Sequence, residues 1–101
     1  MRGTERITDA DVYRKLTDDE IVERILVSPQ ANKFIKLVRG DLSDYGKDHS
    51  RADQALVSIL AYWCQGDFDQ IDRLFRQSAL MRDKWNVCSY RRATLLKAVR
   101  A

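Results

Sequence analysis

"SRADQALVSILAYWCQG", residues 50–66, decides the fold. Ala52, Ala55, Leu56, Ile59, Leu60 and Trp63 keep a 3.6-residue period for three turns, which lays one apolar stripe along a helix. Ser50 stands where an N-cap belongs, Asp53 sits at the capping-box position, and Gly66 is placed to end the helix. A striped helix must bury its apolar side against something, so the flanking segments are expected to supply matching faces.

They do so in helical register. Upstream, "LTDDEIVERILVS" has Thr17 followed three residues later by Glu20, a capping box, and then the apolar group Ile21, Val22, Ile25 and Leu26, with Pro29 limiting the helix. In "QANKFIKLVRG", Ala31, Phe34, Ile35 and Val38 repeat the pattern and Gly40 closes it. Thr8 ahead of acidic residues predicts one more short helix over residues 9–15. Downstream, Asp67 caps a helix that turns Phe68, Ile71, Leu74 and Phe75 inward. "LMRDKWNV" reads as a loop, and a last helix from about Ser89 carries Tyr90, Ala93, Leu96 and Val99 inward. No segment alternates as a strand would. The expectation is an all-α fold: a compact bundle of five or six short helices, one domain over residues 1–101.

The formal net charge is +3, but it is unevenly spread. Residues 1–50 carry nine Lys/Arg and ten Asp/Glu; residues 51–101 carry nine and five. From Arg73 to Arg100 eight basic residues face one acid, Asp83. Such asymmetry points to an anionic partner, nucleic acid first, or to a solvated face whose arginine stems cover the core. No run approaches the roughly eighteen apolar residues of a membrane span, and no charged-then-apolar leader is visible. A cytoplasmic protein with no membrane partner is expected.

Signals for catalysis are weak. Asp41, Asp44 and Asp48 lack the spacing and closing glutamate of a calcium loop and suit Asx-turns better. His49 has no nucleophile signature beside it. The four glycines are scattered, so no phosphate-cradling loop is present. Cys64 and Cys88 with one histidine cannot complete a four-ligand zinc site alone and read as free thiols. No cofactor, no metal and no independent enzymatic activity are expected.

What stands out is "QIDRLFRQSALMRDKW", residues 70–85. Arg73 and Arg76 share a helix face, Arg82 and Lys84 follow on the loop, and Arg91 and Arg92 open the last helix. Together they could supply convergent guanidinium forks for a phosphate backbone. Pairing with Asp69, Asp72 and Asp83 is the alternative use of that charge. Trp85 lies in a loop among charges, where an aromatic either anchors a core or offers its face to an unstacked base. Trp63, Phe68, Phe75 and Tyr90 read as core; Tyr45 reads as structural.

These motifs resemble the helix-bundle domain of phage and prophage primase-polymerases. The family pattern runs through Ser50, Ala52 and Asp53, then Leu60, Ala61 and Trp63, then Gly66 and Asp67. It continues with the run from Asp72 to Ser78 and Leu80, with Arg82, Lys84 and Trp85, and with Tyr90 leading the last helix. "RGDLSDY" is similar to the lead-in loop. Residues 41–101 are family-like and 1–40 match loosely. The short "NVCSYRRAT" departs from the longer glycine-containing insertion common in the family. The resemblance implies a non-catalytic accessory domain that holds single-stranded DNA template during primer initiation, beside a catalytic primase-polymerase domain and often a helicase. The catalytic carboxylates would belong to another domain. The competing reading is a protein-docking module linking polymerase or primase to helicase. On the first reading the nucleic-acid contacts are Arg73, Arg76, Arg82, Lys84, Trp85, Arg91 and Arg92.

Overall fold

The computed structural model describes residues 15–100. Five α-helices follow in order: α1 Asp18–Leu26, α2 Ala31–Val38, α3 His49–Trp63, α4 Phe68–Arg76 and α5 Cys88–Arg100. Short 3₁₀ turns at Ser43–Tyr45 and Asp83–Asn86 fill two of the connections. There is no strand among the described residues, and the fold is the expected all-α bundle. The helix expected over residues 9–15 lies outside the described residues apart from Lys15, which is not helical.

Local chemistry accounts for most boundaries. At α1 the capping box forms in both directions: the Glu20 N–H donates to Thr17 Oγ1 at 3.2 Å, and the Thr17 N–H donates to Glu20 Oε1 at 2.9 Å. Asp67 caps α4 by accepting the Gln70 N–H. The start of α3 corrects the sequence reading. Asp48, not Ser50, is the N-cap, and its carboxylate accepts the N–H groups of Ser50 and Arg51. A charged acceptor two residues earlier satisfies the first-turn donors, which releases Asp53 from any capping role. Gly40 adopts φ +81 at the end of α2, and a Cβ there would meet Ala79 Cβ at 3.1 Å. Its bareness lets the segment after α4 dock on the C-terminus of α2, where the Ala79 N–H donates to the Val38 carbonyl at 2.8 Å.

α3 is the central element and packs against α5, α4 and α2. Its Ala52, Leu56, Val57, Ile59 and Leu60 are buried together with Ile21, Ile25, Leu37, Ile71 and Phe75. Two aromatic expectations change places. Trp85 is wholly buried and stacks on Phe75, with ring centroids 3.9 Å apart and planes 23° from parallel. Trp63, expected to seal the stripe from within, lies half-buried at the rim and donates its indole N–H to Gln30 Oε1 at 3.0 Å. The last helix is turned from its expected phase: Thr94, Leu95 and Ala98 are buried, while Ala93 and Val99 are exposed. Its apolar residues run nearly around the helix, so periodicity alone fixes no inward face.

Candidate nucleic-acid interface

The arginine run around α4 was the sequence's first candidate, and the fold occupies most of it. Arg73 closes a two-point fork on Asp18, from Nε and Nη2 at 2.9 Å each, and so ties α4 to the start of α1. The Asp18 carboxyl is held below its ordinary range chiefly by that guanidinium, against a smaller opposing effect of burial. Arg76 pairs with Asp72 at 3.0 Å one turn back and donates to Asn86 Oδ1. Asp72 in turn accepts the indole N–H of Trp85 at 2.7 Å.

Arg82 reaches deepest. Its fork holds both oxygens of Asp53, at 3.0 and 2.8 Å, and a third bond goes to the Leu80 carbonyl. Asp53 has no exposed surface, and the Tyr90 hydroxyl donates to the same carboxylate. Burial and then this carboxylate push the Tyr90 hydroxyl above its usual pKa; the Asp53 partnership raises that of Arg82. A buried charge needs such compensation, and here three chain segments meet to give it. Lys84 donates to Ser50 Oγ at 3.2 Å and lies 4.5 Å over the Tyr90 ring. Arg91 donates to the Trp85 carbonyl. Arg92 is exposed and makes neither ion pair nor side-chain hydrogen bond among the described residues.

Of the seven expected contacts, Arg73, Arg76 and Arg82 hold carboxylates, Arg91 and Arg92 line one cavity beside Asp72, and Trp85 lies inside the fold. Trp85 presents no face to a ligand, because its ring is enclosed by Phe75 and Tyr90. Arg73 and Arg82 find partners far along the chain, Asp18 and Asp53, rather than the neighbouring acids that the sequence suggested; Asp72 alone of those acids pairs, with Arg76. The loop aspartates are likewise engaged. Asp41 accepts the Ser43 N–H, Asp44 pairs with Lys36, and Asp48 caps α3.

A different surface gathers uncommitted charge. α2, the outer side of α3 and the inner edge of α5 enclose an open groove of about 610 Å³. Lys33, Arg51 and Lys97 line it, all three exposed and none in an ion pair among the described residues. Tyr45 and Tyr90 line it too, and Gln30, Gln54, Ser58 and Thr94 contribute neutral polar groups. Gln54 donates to the Thr94 carbonyl and so stitches α3 to α5 along the floor. No acidic residue lines the groove among the described residues. Three cations, neutral donors and two tyrosines, with no carboxylate among the described lining residues, suit a phosphate-bearing chain. Sequence reasoning missed Lys33, Arg51 and Lys97 because they lie on three helices. The one local signal was the polar row Arg51, Gln54 and Ser58 on the side of α3 opposite its apolar stripe.

Comparisons with known proteins agree with the motif reading. A family model described as the NrS-1 polymerase HBD domain matches residues 49–101, which include Arg51, Tyr90 and Lys97. The DNA primase-polymerase of Nitratiruptor phage NrS-1 is 46% identical over 57 residues, covering 52% of this chain and 8% of that protein. The chain thus corresponds to a small part of that relative. No solved structure matches. With the family model spanning α3 to α5, the chain belongs to the NrS-1 polymerase HBD family.

Proposed function

We propose that this chain is a non-catalytic accessory module of a phage-type primase-polymerase, and that it holds single-stranded DNA template in the groove between α2, α3 and α5. The observation that carries the reading is the convergence of Lys33, Arg51 and Lys97 on one groove, with no ion pair and no lining carboxylate among the described residues. Family membership supplies the setting, since the similar protein is a primase-polymerase. The groove is open rather than enclosed, which suits a strand that passes through. Lys84, Arg91 and Arg92 stay as candidate outer contacts; Arg73, Arg76 and Arg82 are assigned to holding the fold. Nucleotidyl transfer belongs, on this reading, to a separate catalytic domain.

Labelled single-stranded and duplex DNA titrated at two salt concentrations test the proposal. Replacing Lys33, Arg51 and Lys97 together with Ala is expected to weaken single-strand binding. The salt slope should fall by about 0.7 for each lost phosphate contact, roughly 2 in all. The circular dichroism melt should not move, because none of the three side chains holds a partner. Unchanged affinity and slope would rule the groove out.

A docking role toward a helicase has one observation in its favour. The outer face of α5 presents Val99, 37% exposed, between the unpaired Arg92 and Arg100. Loss of helicase association on replacing these three, with DNA binding intact, would move the assignment there.

A further inference from the structure

The groove does not end with its cations. Gln30 lines both the groove and an adjoining cavity of about 340 Å³, whose other walls are Ser28, Pro29, Tyr62 and Trp63. Along the outside of α3 the side chains of Arg51, Ser58 and Tyr62 follow at near-helical spacing, so one continuous path runs from the basic end to the aromatic end. The second cavity has no charged residue at all. Its chemistry suits the flat, neutral part of a ligand rather than a phosphate.

Tyr62 is the most telling residue on this path. It is 73% exposed, and its hydroxyl makes no hydrogen bond to the described residues. Its ring meets Trp63 edge-on, with centroids 5.3 Å apart and planes at 81°. Trp63 is fixed in turn by its bond to Gln30. The tyrosine is thus braced by Trp63 from one side and otherwise largely exposed, with no hydrogen-bonding role among the described residues.

Resting on the strand-holding reading above, we infer that Tyr62 is a base-stacking step at the end of the groove, where one unstacked base of the bound strand lies on its ring. Phosphates are held at Lys33, Arg51 and Lys97, and the base is received at Tyr62. Eleven residues of helix separate Arg51 from Tyr62, a rise of about 16 Å. At a stacked spacing of ~3.4 Å per nucleotide this corresponds to a footprint of about five nucleotides, and fewer if the strand is extended. Stacking on an aromatic ring tolerates every base, so this step adds affinity without sequence preference.

Three proteins and two probes test the inference: wild type, Tyr62→Ala and Tyr62→Phe, titrated with an eight-nucleotide oligothymidylate and with an abasic deoxyribose-phosphate octamer of equal charge. Tyr62→Ala should weaken binding of the oligothymidylate about tenfold. The salt slope should not change, since no phosphate contact is lost. Tyr62→Phe should bind like wild type, and the abasic octamer should not distinguish any of the three. Equal affinity of Tyr62→Ala and wild type for the oligothymidylate overturns the stacking step. If the Lys33, Arg51 and Lys97 replacement still abolishes binding in that case, the groove reading stands and Tyr62 faces something else, such as a partner protein. A Tyr62→Ala loss that appears equally with the abasic octamer also overturns it, because the effect is then not on a base. Failure of the wild-type chain to bind either probe overturns both readings together.

Discussion

The arginines around α4 and the cations of the groove carry the same charge and differ in what faces them. Arg73, Arg76 and Arg82 each meet a carboxylate within 3.0 Å, and one of these carboxylates, Asp53, is completely buried. Lys33, Arg51 and Lys97 meet none among the described residues. A cluster of basic residues in a sequence is therefore not yet a binding surface. Whether it becomes one depends on where the acids end up, and that is settled by tertiary packing. In this fold the denser cluster is engaged by carboxylates, and the sparser one stays exposed to solvent.

The largest effect expected from disturbing the clamp region comes from its aromatic centre. Trp85 is fully buried on Phe75 and spends its indole N–H on Asp72. Trp85→Ala should cost on the order of 3–5 kcal/mol in chemical denaturation. Trp63→Ala, at the half-exposed rim, should cost about 1–2 kcal/mol, because less apolar area is lost from the core. Reversal of that order would mean that the groove side, not the clamp side, holds the bundle together.

Next comes Arg82. Among the described residues its guanidinium is the only cation on the buried Asp53, so Arg82→Ala leaves that carboxylate with the Tyr90 hydroxyl as its one remaining side-chain partner there. A loss of about 3 kcal/mol is expected in the same assay, somewhat below the value for a fully enclosed pair because Arg82 is 27% exposed. Arg76→Ala should cost much less, since its pair with Asp72 lies at the surface. Single-strand affinity should be kept by any fraction of Arg82→Ala that remains folded. A folded Arg82→Ala protein that has lost DNA binding would return this residue to the interface.

Much of the fold was legible in the sequence. The α1 capping box, the stripe of α3 and the Asp67 cap of α4 are local features, and local chemistry determines them. Less legible was anything that depends on which helices meet. The phase of α5 could not be read from residues that are apolar nearly all round. Trp85 sat in a segment with no helical period, so its burial depended on Phe75 arriving from α4. Asp53 looked like a capping acid because its position in the chain allowed it, and the Arg82 fork and the Tyr90 hydroxyl give it a different use. The candidate site was the least legible part, because its three cations come from positions 33, 51 and 97 and converge only once the bundle has formed.

The smallest effect separates the two regions by pH. Asp18 is held below the ordinary carboxylate value of 3.8, first by the Arg73 guanidinium and then by the Gln70 amide, with burial opposing. A carboxyl whose pKa is lower in the folded than in the unfolded chain binds fewer protons when folded. Its stabilisation is therefore complete above the unfolded value and is lost as pH falls through the lowered folded value. Asp18→Asn removes this charge but keeps the shape, so the variant should be slightly less stable than wild type at neutral pH. The pair is partly exposed, at 54% for Arg73 and 27% for Asp18, and solvent screening keeps the gap smaller than either effect above. Urea midpoints of the two proteins should converge as pH falls past about 4 toward the acid limit of the fold. The Lys33, Arg51 and Lys97 replacement should show no such convergence, since no carboxylate faces those cations and the fold gains nothing from their charge. A stability gap for Asp18→Asn that does not narrow in acid would mean that the Asp18–Arg73 contact contributes through shape alone, and the contrast between clamped and available charge would then rest on Asp53 and Arg82.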